Sequence, residues 1–279
     1  MAEQVTIVKA NGKHETFDAE KLRFSLLNSG ASDDMAEKVI GHILPELKNG
    51  MTTSDIYKHA AGILEKLHRP AARSYSLRRA IMALGPSGFP FEDFVAEILK
   101  AKGFECETGQ ILLGGCVSHE VDVVAYNEKK LLVVEAKFHN ELGTKSDLKV
   151  VLYVKARFDD LRDNVYDYGG NDRKITDAWL VTNTKFSSTA IRYGECQHMT
   201  LIGWNYPERG NLQDLIEEKV LHPITCLSSL SQAQKQELIG KSVVLCSTIR
   251  KNPKVLSETF GPSFDPSPII SEINELYHK

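Results

Sequence analysis

Three charged residues interrupt two apolar runs in the stretch HEVDVVAYNEKKLLVVEAKFH, His119 to His139: Asp122, Glu135 and Lys137. Charged side chains are almost never fully buried unless they are paired or carry out a function. The runs read as two strands joined by a tight polar turn at Glu128-Lys129. Side chains alternate across a strand, so Glu135 and Lys137 share a face, as do Glu120 and Asp122. Folding about that turn pairs Asn127 with Lys130 and Tyr126 with Leu131. The same register, absent a bulge, sets Asp122 opposite Glu135 and Glu120 opposite Lys137.

Directly opposed residues hold their Cβ atoms about 4.5–5.5 Å apart. Two carboxylates at that separation repel by roughly 3 kcal/mol at an effective dielectric of about 20. A divalent cation between them reverses the sign, because Mg²⁺ takes one or two carboxylates plus water and phosphate oxygens. Lys137, one pleat on, could then orient or deprotonate an attacking water, or hold the scissile phosphate. That chemistry is metal-assisted phosphodiester hydrolysis. The alternative is a surface hairpin whose charges face water, with Glu120 and Lys137 as a cross-strand ion pair. Leu131, Leu132, Val133 and Val134 before Glu135 argue instead for a strand buried on both faces.

The elements around these residues fall into three segments. Residues 1–88 open with a strand in QVTIVKA, a turn at NGK and a second strand in HETF. Helical spacing follows over 18–29, 33–47 and 53–67, each opening on Asp or Thr as a cap, and again over 71–84. Gly85-Pro86 stops the last helix, and PSGFP marks a domain boundary. Residues 89–206 alternate helix and strand. FEDFVAEILKAKG has apolar residues at 91, 94, 95, 98 and 99 and closes at Gly103. After the hairpin, 146–168 reads as one long helix capped by Ser146, then AWLVTNT as strand, SSTAIRYGECQ as helix and MTLIGW as strand. Strands separated by helices predict an α/β sheet that is at least partly parallel. Residues 207–279 read as short helices with little core of their own, packed on the middle segment.

Composition places the chain among folded soluble proteins: 279 residues, 42% apolar and 25% charged. It has no run of about 18 apolar residues that would span a membrane. Its first residues have neither the basic nor the apolar region of a secretory signal. Five cysteines lie far apart with no CxxC pair, which points away from a zinc site and toward a reducing cytoplasm. The net charge of −3 is spread without a strongly basic segment, so any nucleic-acid contact must come from a local patch.

On these residues the middle segment resembles the PD-(D/E)xK nuclease superfamily, in its Mrr-like restriction endonuclease branch. FPFEDFVAEILKAKGFE resembles the opening helix, HEVDVVA the strand with the metal-binding Asp, LLVVEAKFH the ExK strand, and LVTNTKFSSTAIRYGECQHMTLIGW the closing strand–helix–strand. The resemblance implies Asp122 and Glu135 as ligands of Mg²⁺ or Mn²⁺, Lys137 as the catalytic lysine and Glu92 as an auxiliary acid. Glu120 stands where the branch commonly has Gly, and would be either an extra ligand or the mark of a divergent subgroup. Lys149, Tyr153 and Arg157, four apart on one helical face, are candidate phosphate contacts, with a solvated face as the alternative for each.

VTIVKANGKHETFDAEKL, with TTSDIYKHA and AARSYSLRRAIMAL, resembles the ATP-cone, an allosteric nucleotide-binding domain. By position Val8, Lys9, Glu15, Lys21 and Thr53 fall where that family contacts ATP or dATP. Lys9 and Lys21 suit a triphosphate, and Thr53 would cap a helix whose N-terminal N–H groups can hold an anion. Ala10 and Tyr57 depart from the family, which usually has Arg at the first and, in one branch, His at the second. There is no GxxxxGK[ST] loop, so the resemblance implies nucleotide sensing and not ATP-driven work. LSSLSQAQKQELIGKSVVL bears a faint likeness to helix-hairpin-helix DNA-binding tails, with a packing appendage as the favoured alternative.

The expectation is therefore an α/β protein: a small, mostly helical ATP-cone, a restriction-endonuclease-like sheet domain and a helical C-terminal extension. Its function would be nucleotide-regulated, Mg²⁺-dependent cleavage of DNA, in defence or repair, by a cytoplasmic homo-oligomer. The rival expectations are a nucleotide-sensing DNA-binding regulator that does not cut, and a structural protein in which the cone is an assembly module.

Overall fold

The computed structural model describes residues 5–9, 14–27, 29–85, 88–141 and 144–277. Contacts divide the chain into two compact units, Met1–Arg79 and Ala80–Lys279. The NGK turn and Pro86-Ser87 of the expected boundary lie outside the described residues.

In the first unit, β1 (Thr6–Val8) and β2 (His14–Thr16) pair antiparallel, Ile7 opposite Glu15. Helices α1 (Ala19–Leu27), α2 (Asp33–Ile43), α3 (Thr53–Leu67) and α4 (Arg69–Met82) follow, with α4 running across the division. The spacing of Ala36, Val39, Ile40 and Ile43 on α2, and of Ile56, Ala60 and Leu64 on α3, puts one stripe of each helix into a shared core. Two caps sit one residue earlier than the sequence suggested. Ser32 caps α2 and Thr52 caps α3, because each has the extended backbone of a cap and accepts an N–H two or three residues inside the helix.

The second unit begins with α5 (Phe89–Ala101), β3 (Glu105–Leu113), β4 (Ser118–Tyr126) and β5 (Leu131–Lys137). A short β6 (Lys145–Ser146) precedes α6 (Leu148–Leu161), and the hairpin β7 (Val165–Tyr168) and β8 (Asn171–Lys174) comes next. Then come β9 (Asp177–Thr182), β10 (Lys185–Phe186), α7 (Ser188–Cys196) and β11 (Thr200–Ile202). The main sheet has the order β11-β9-β5-β4-β3, antiparallel from β3 to β5 and parallel from β5 through β9 to β11. Val124, Leu131 and Val133 on one face pack with Val151, Val154 and Leu161 of α6. Alternate residues Val123, Ala125, Leu132 and Val134 are also buried, and α5 packs on β3, β4 and β5. The sheet is thus covered on both faces, as its unbroken apolar runs require.

Three expectations change. The long helix is α6, capped by Asp147, and it stops at Leu161. Val165–Tyr168 turns back as a hairpin because Gly169 and Gly170 supply two consecutive positive φ angles, +65° and +71°. β3, with only Leu112 buried, has no alternating pattern and was not legible as a strand. The last segment, α8 (Leu212–Glu218), α9 (Gln232–Ile239), α10 (Cys246–Lys251), α11 (Lys254–Phe260) and α12 (Ser267–Tyr277), builds a core of its own. Ile224, Leu227, Leu238, Ile249, Leu256, Ile269 and Ile273 form it, and Thr225 Oγ1 donates to the Ala80 carbonyl at 2.6 Å.

Candidate active site

The middle of the sheet opens at one point. β4 pairs with β5 from Tyr126↔Leu131 to Val123↔Val134, and the ladder ends there. Beyond it β4 stays with β3, while Glu135, Ala136 and Lys137 pair with Leu180, Val181 and Thr182 of β9. Asp122 lies at the crotch of this fork. On its other side the β3–β4 ladder skips the position opposite Gly109, whose φ is +60°. A local break in pairing bends a strand and re-aims its side chains. Continuing the observed register would oppose Asp122 and Glu135, as the sequence suggests. The strands have parted before that pair forms, and Asp122 Oδ2 instead accepts the Ala136 backbone N–H at 2.7 Å.

Glu135 turns toward α6. Its Oε2 lies 2.5 Å from Arg157 Nη1, and the two side chains are only 16% and 14% exposed. Arg157 also donates from Nη2 to the Tyr153 hydroxyl, and its guanidinium sits 4.5 Å from the centre of that ring. Of the three helix residues singled out in the sequence, Tyr153 and Arg157 therefore meet at the site, and Lys149 is exposed on the first turn.

Electrostatics tie four acids together. Burial pushes the Asp122 carboxyl up, against the Ala136 N–H and the Arg157 charge. Burial and then the Asp122 charge push Glu135 up, against Arg157 and Lys137. Glu92, on the first turn of α5, is raised to about 7 by burial first and then by Asp122, Asp93, Glu120 and Glu135. Glu120 is exposed on β4. Lys137 is half-buried, and its charge lowers both Asp122 and Glu135.

The donor set suits a hard cation. Two part-buried carboxylates, Glu135 raised by the charge of Asp122 and Asp122 by that of Glu120, offer oxygen ligands and gain from a positive charge between them. Among the described residues no three His, Cys, Asp or Glu side chains stand together as a closed cage. A cation here would keep several waters, which is the habit of Mg²⁺.

Sequence reasoning missed the support just past Lys137. His139 Nε2 lies 2.9 Å from Ser146 Oγ, which donates to Thr182 Oγ1 at 3.2 Å. The His139 N–H donates to Asn183 Oδ1 at 2.8 Å, and Asn183 Nδ2 returns a bond to the His139 carbonyl at 2.9 Å. Ser146, Thr182 and Asn183 are all fully buried. Polar residues ending the apolar run of LVTNT were the available signal.

In the first unit, Lys9 and Lys21 both face Glu15, at 2.7 and 3.7 Å. The Val8 N–H donates to the Met51 carbonyl at 3.0 Å, and Val8 bridges Thr52, so β1 lies against the start of α3. Thr53 is the first residue of that helix and not its cap. Ala10 lies outside the described residues.

This fold and site define a class. Residues 85–206 match the family model Mrr_cat, described as restriction endonuclease, and form a restriction-endonuclease-like domain. Residues 222–276 match a second model, described as AF1548-like, C-terminal. An uncharacterized protein of Archaeoglobus fulgidus is 37% identical over 152 residues, 54% of this chain and 81% of that protein. The crystal structure of AF1548, a protein of unknown function, superposes with a TM-score of 0.55 at 32% identity, over 68% of this chain and 98% of that one. The chain belongs to the family of these AF1548-like proteins. The MspJI restriction endonuclease, solved with a 27-mer oligonucleotide, reaches a TM-score of only 0.34 at 13% identity, over 81% of this chain and 44% of that one.

Proposed function

We propose that this protein is a Mg²⁺-dependent DNA endonuclease regulated by a nucleotide bound to its first unit. The observation that carries the reading is the fork, where Asp122, Glu135, Lys137 and Glu92 gather within a segment matching a restriction endonuclease model. Asp122 and Glu135 are the metal ligands, with Glu120 at the outer edge. A bound Mg²⁺ or Mn²⁺ supplies Lewis acidity to the scissile phosphate and lowers the pKa of a bound water. Lys137, whose charge acts on both carboxylates, is the group that would orient the attacking water or hold the phosphate. Glu92, whose carboxyl titrates near neutrality, can give or take a proton at working pH. The Asn183, His139 and Ser146 bonds hold the chain beyond Lys137 in place.

The first unit is read as an ATP-cone. Lys9 and Lys21, gathered on Glu15 beside the start of α3, are the groups that would take the triphosphate. Nucleotide binding then acts through two states of different affinity, in a dimer or higher oligomer.

The test is plasmid nicking with Mg²⁺ or Mn²⁺, with and without ATP or dATP, comparing wild type with Lys137→Ala. Metal-dependent nicking reduced about 10²–10⁴-fold in the variant supports the reading. The second reading, a nucleotide-sensing DNA-binding regulator that does not cut, draws on the Arg157 seat at Glu135, which leaves that carboxylate neutralised without a metal. No cutting of supercoiled, methylated or single-stranded DNA would put it first.

A further inference from the structure

We propose that Arg157 stands in for the metal at Glu135: without a cation it neutralises the carboxylate, and when metal and DNA arrive its guanidinium leaves for the phosphodiester. This inference rests on the nuclease reading and adds to it a link between metal binding and DNA binding.

Three observations carry it. The Arg157 Nη1 contact at 2.5 Å occupies an oxygen that a cation would need. The space beside the pair, lined by Val121, Val133, Val154 and Phe158, is apolar and measures about 10 Å³, so little water reaches the ion pair from that side. Secondly, the arrangement leaves the guanidinium incompletely paired. Its Nε is buried without a hydrogen-bond partner. A buried donor left unmade costs free energy, whereas a phosphate offers several acceptor oxygens to the planar fork. Thirdly, Tyr153 provides a way out. It is 54% exposed, one turn back on α6, and it holds the guanidinium by both its hydroxyl and its ring face. Released from Glu135, the cation can stay on the aromatic face while turning toward solvent, where the DNA backbone arrives.

Charge explains the direction. Without a ligand, the charges of Lys137 and Arg157 already oppose those of Asp122 and Glu135, with Glu120 acting on Asp122 as a further acid. A divalent cation added to that set is repelled by Arg157. A phosphodiester removes the repulsion by drawing Arg157 to itself. Metal and DNA therefore favour each other's binding, and by linkage each raises the other's affinity by the same factor.

The experiment is calorimetric titration of the full chain with Mn²⁺, in the absence of DNA, for wild type, Arg157→Gln, Tyr153→Phe and Glu135→Gln. Arg157→Gln should bind Mn²⁺ about tenfold more tightly than wild type, a coupling of ordinary size, while plasmid nicking slows. Tyr153→Phe, an exposed substitution that removes one partner of the guanidinium, should shift affinity in the same direction by less. Tighter metal with slower cutting is a pair of changes that general loosening of the fold does not produce. If both variants melt like wild type and bind Mn²⁺ equally well or more weakly, the exchange is wrong and the nuclease reading stands. If wild type and Glu135→Gln bind Mn²⁺ alike and neither cuts, the nuclease reading fails and takes this inference with it.

Discussion

Asp122 Oδ2 accepts the Ala136 backbone N–H across the point where β4 and β5 part. One oxygen of this carboxylate thus ties the fork together, and the other remains for a ligand. Asparagine keeps an acceptor for the Ala136 N–H and removes a charge that burial disfavours. Asp122→Asn should therefore unfold at the same or a higher temperature than wild type, while nicking falls by about 100-fold or more. Melting curves and plasmid nicking on one preparation check both halves. Early melting together with lost cutting would assign Asp122 a structural role only.

Glu92 gives the protein a pH dependence with a defined sign. Its carboxyl is raised from 4.5 to about 7, so between those values the folded protein binds more protons than the unfolded chain. Stability then falls as pH rises through this window and levels off above it. Because water reaches Glu92, screening reduces the effect to about 1 kcal/mol. Glu92→Gln should flatten that slope, leaving the variant the more stable protein at pH 8. Urea unfolding at pH 5, 6, 7 and 8 measures it.

What the sequence made legible follows its periodicities. The helices of the first unit, α5, β5 and β9 have apolar spacing dense enough to announce themselves, and the Asp122, Glu135 and Lys137 set stood out because charge interrupts those runs. β3 was hidden because an edge strand exposes most of its side chains. The fork was hidden too, since a ladder ends through backbone geometry at Gly109 and Asp122 and not through side-chain pattern. The Arg157 contact needs the crossing of α6 over β5, which no local spacing encodes. The core of the last segment is assembled from one or two apolar residues on each of four short helices, α9 to α12, together with Ile224, Leu227, Leu230 and Val243 between helices, so no single period announces it.

Asp160 fastens the β3–β4 turn to the end of α6. It accepts the Cys116 N–H at 2.8 Å and the Val117 N–H at 3.3 Å, and His119 Nε2 lies 2.7 Å away. The His119 contact first, then Cys116, holds its carboxyl down to about 2. A depressed carboxyl stabilises the fold above its ordinary value of 3.8, and that contribution disappears as pH falls through about 2. Asp160→Asn should speed amide exchange at Gly115, Cys116 and Val117 at pH 7. The difference from wild type should shrink as the pH is lowered toward 2. Exchange unchanged in the variant would mean that the backbone bonds of the turn suffice without the charge.

Lys9 and Lys21 sit on one carboxylate, Glu15, whose pKa is lowered chiefly by the Lys9 hydrogen bond. The lysine side chains are 43% and 64% exposed, so the ion pairs add little to folding and the lysines can be removed with small loss. A triphosphate that takes both should stabilise the protein by about 2.7 kcal/mol at 100 times its Kd. In the Lys9→Ala/Lys21→Ala double variant the unliganded melting point should stay within the effect of about 0.5 kcal/mol expected of surface changes, while the shift with ATP or dATP disappears. Thermal melting across a nucleotide series reads both. A shift that survives the double substitution would place the nucleotide elsewhere. No shift in the wild type at any concentration would remove nucleotide sensing from the proposed function and leave the cutting proposed for the fork to be judged by itself.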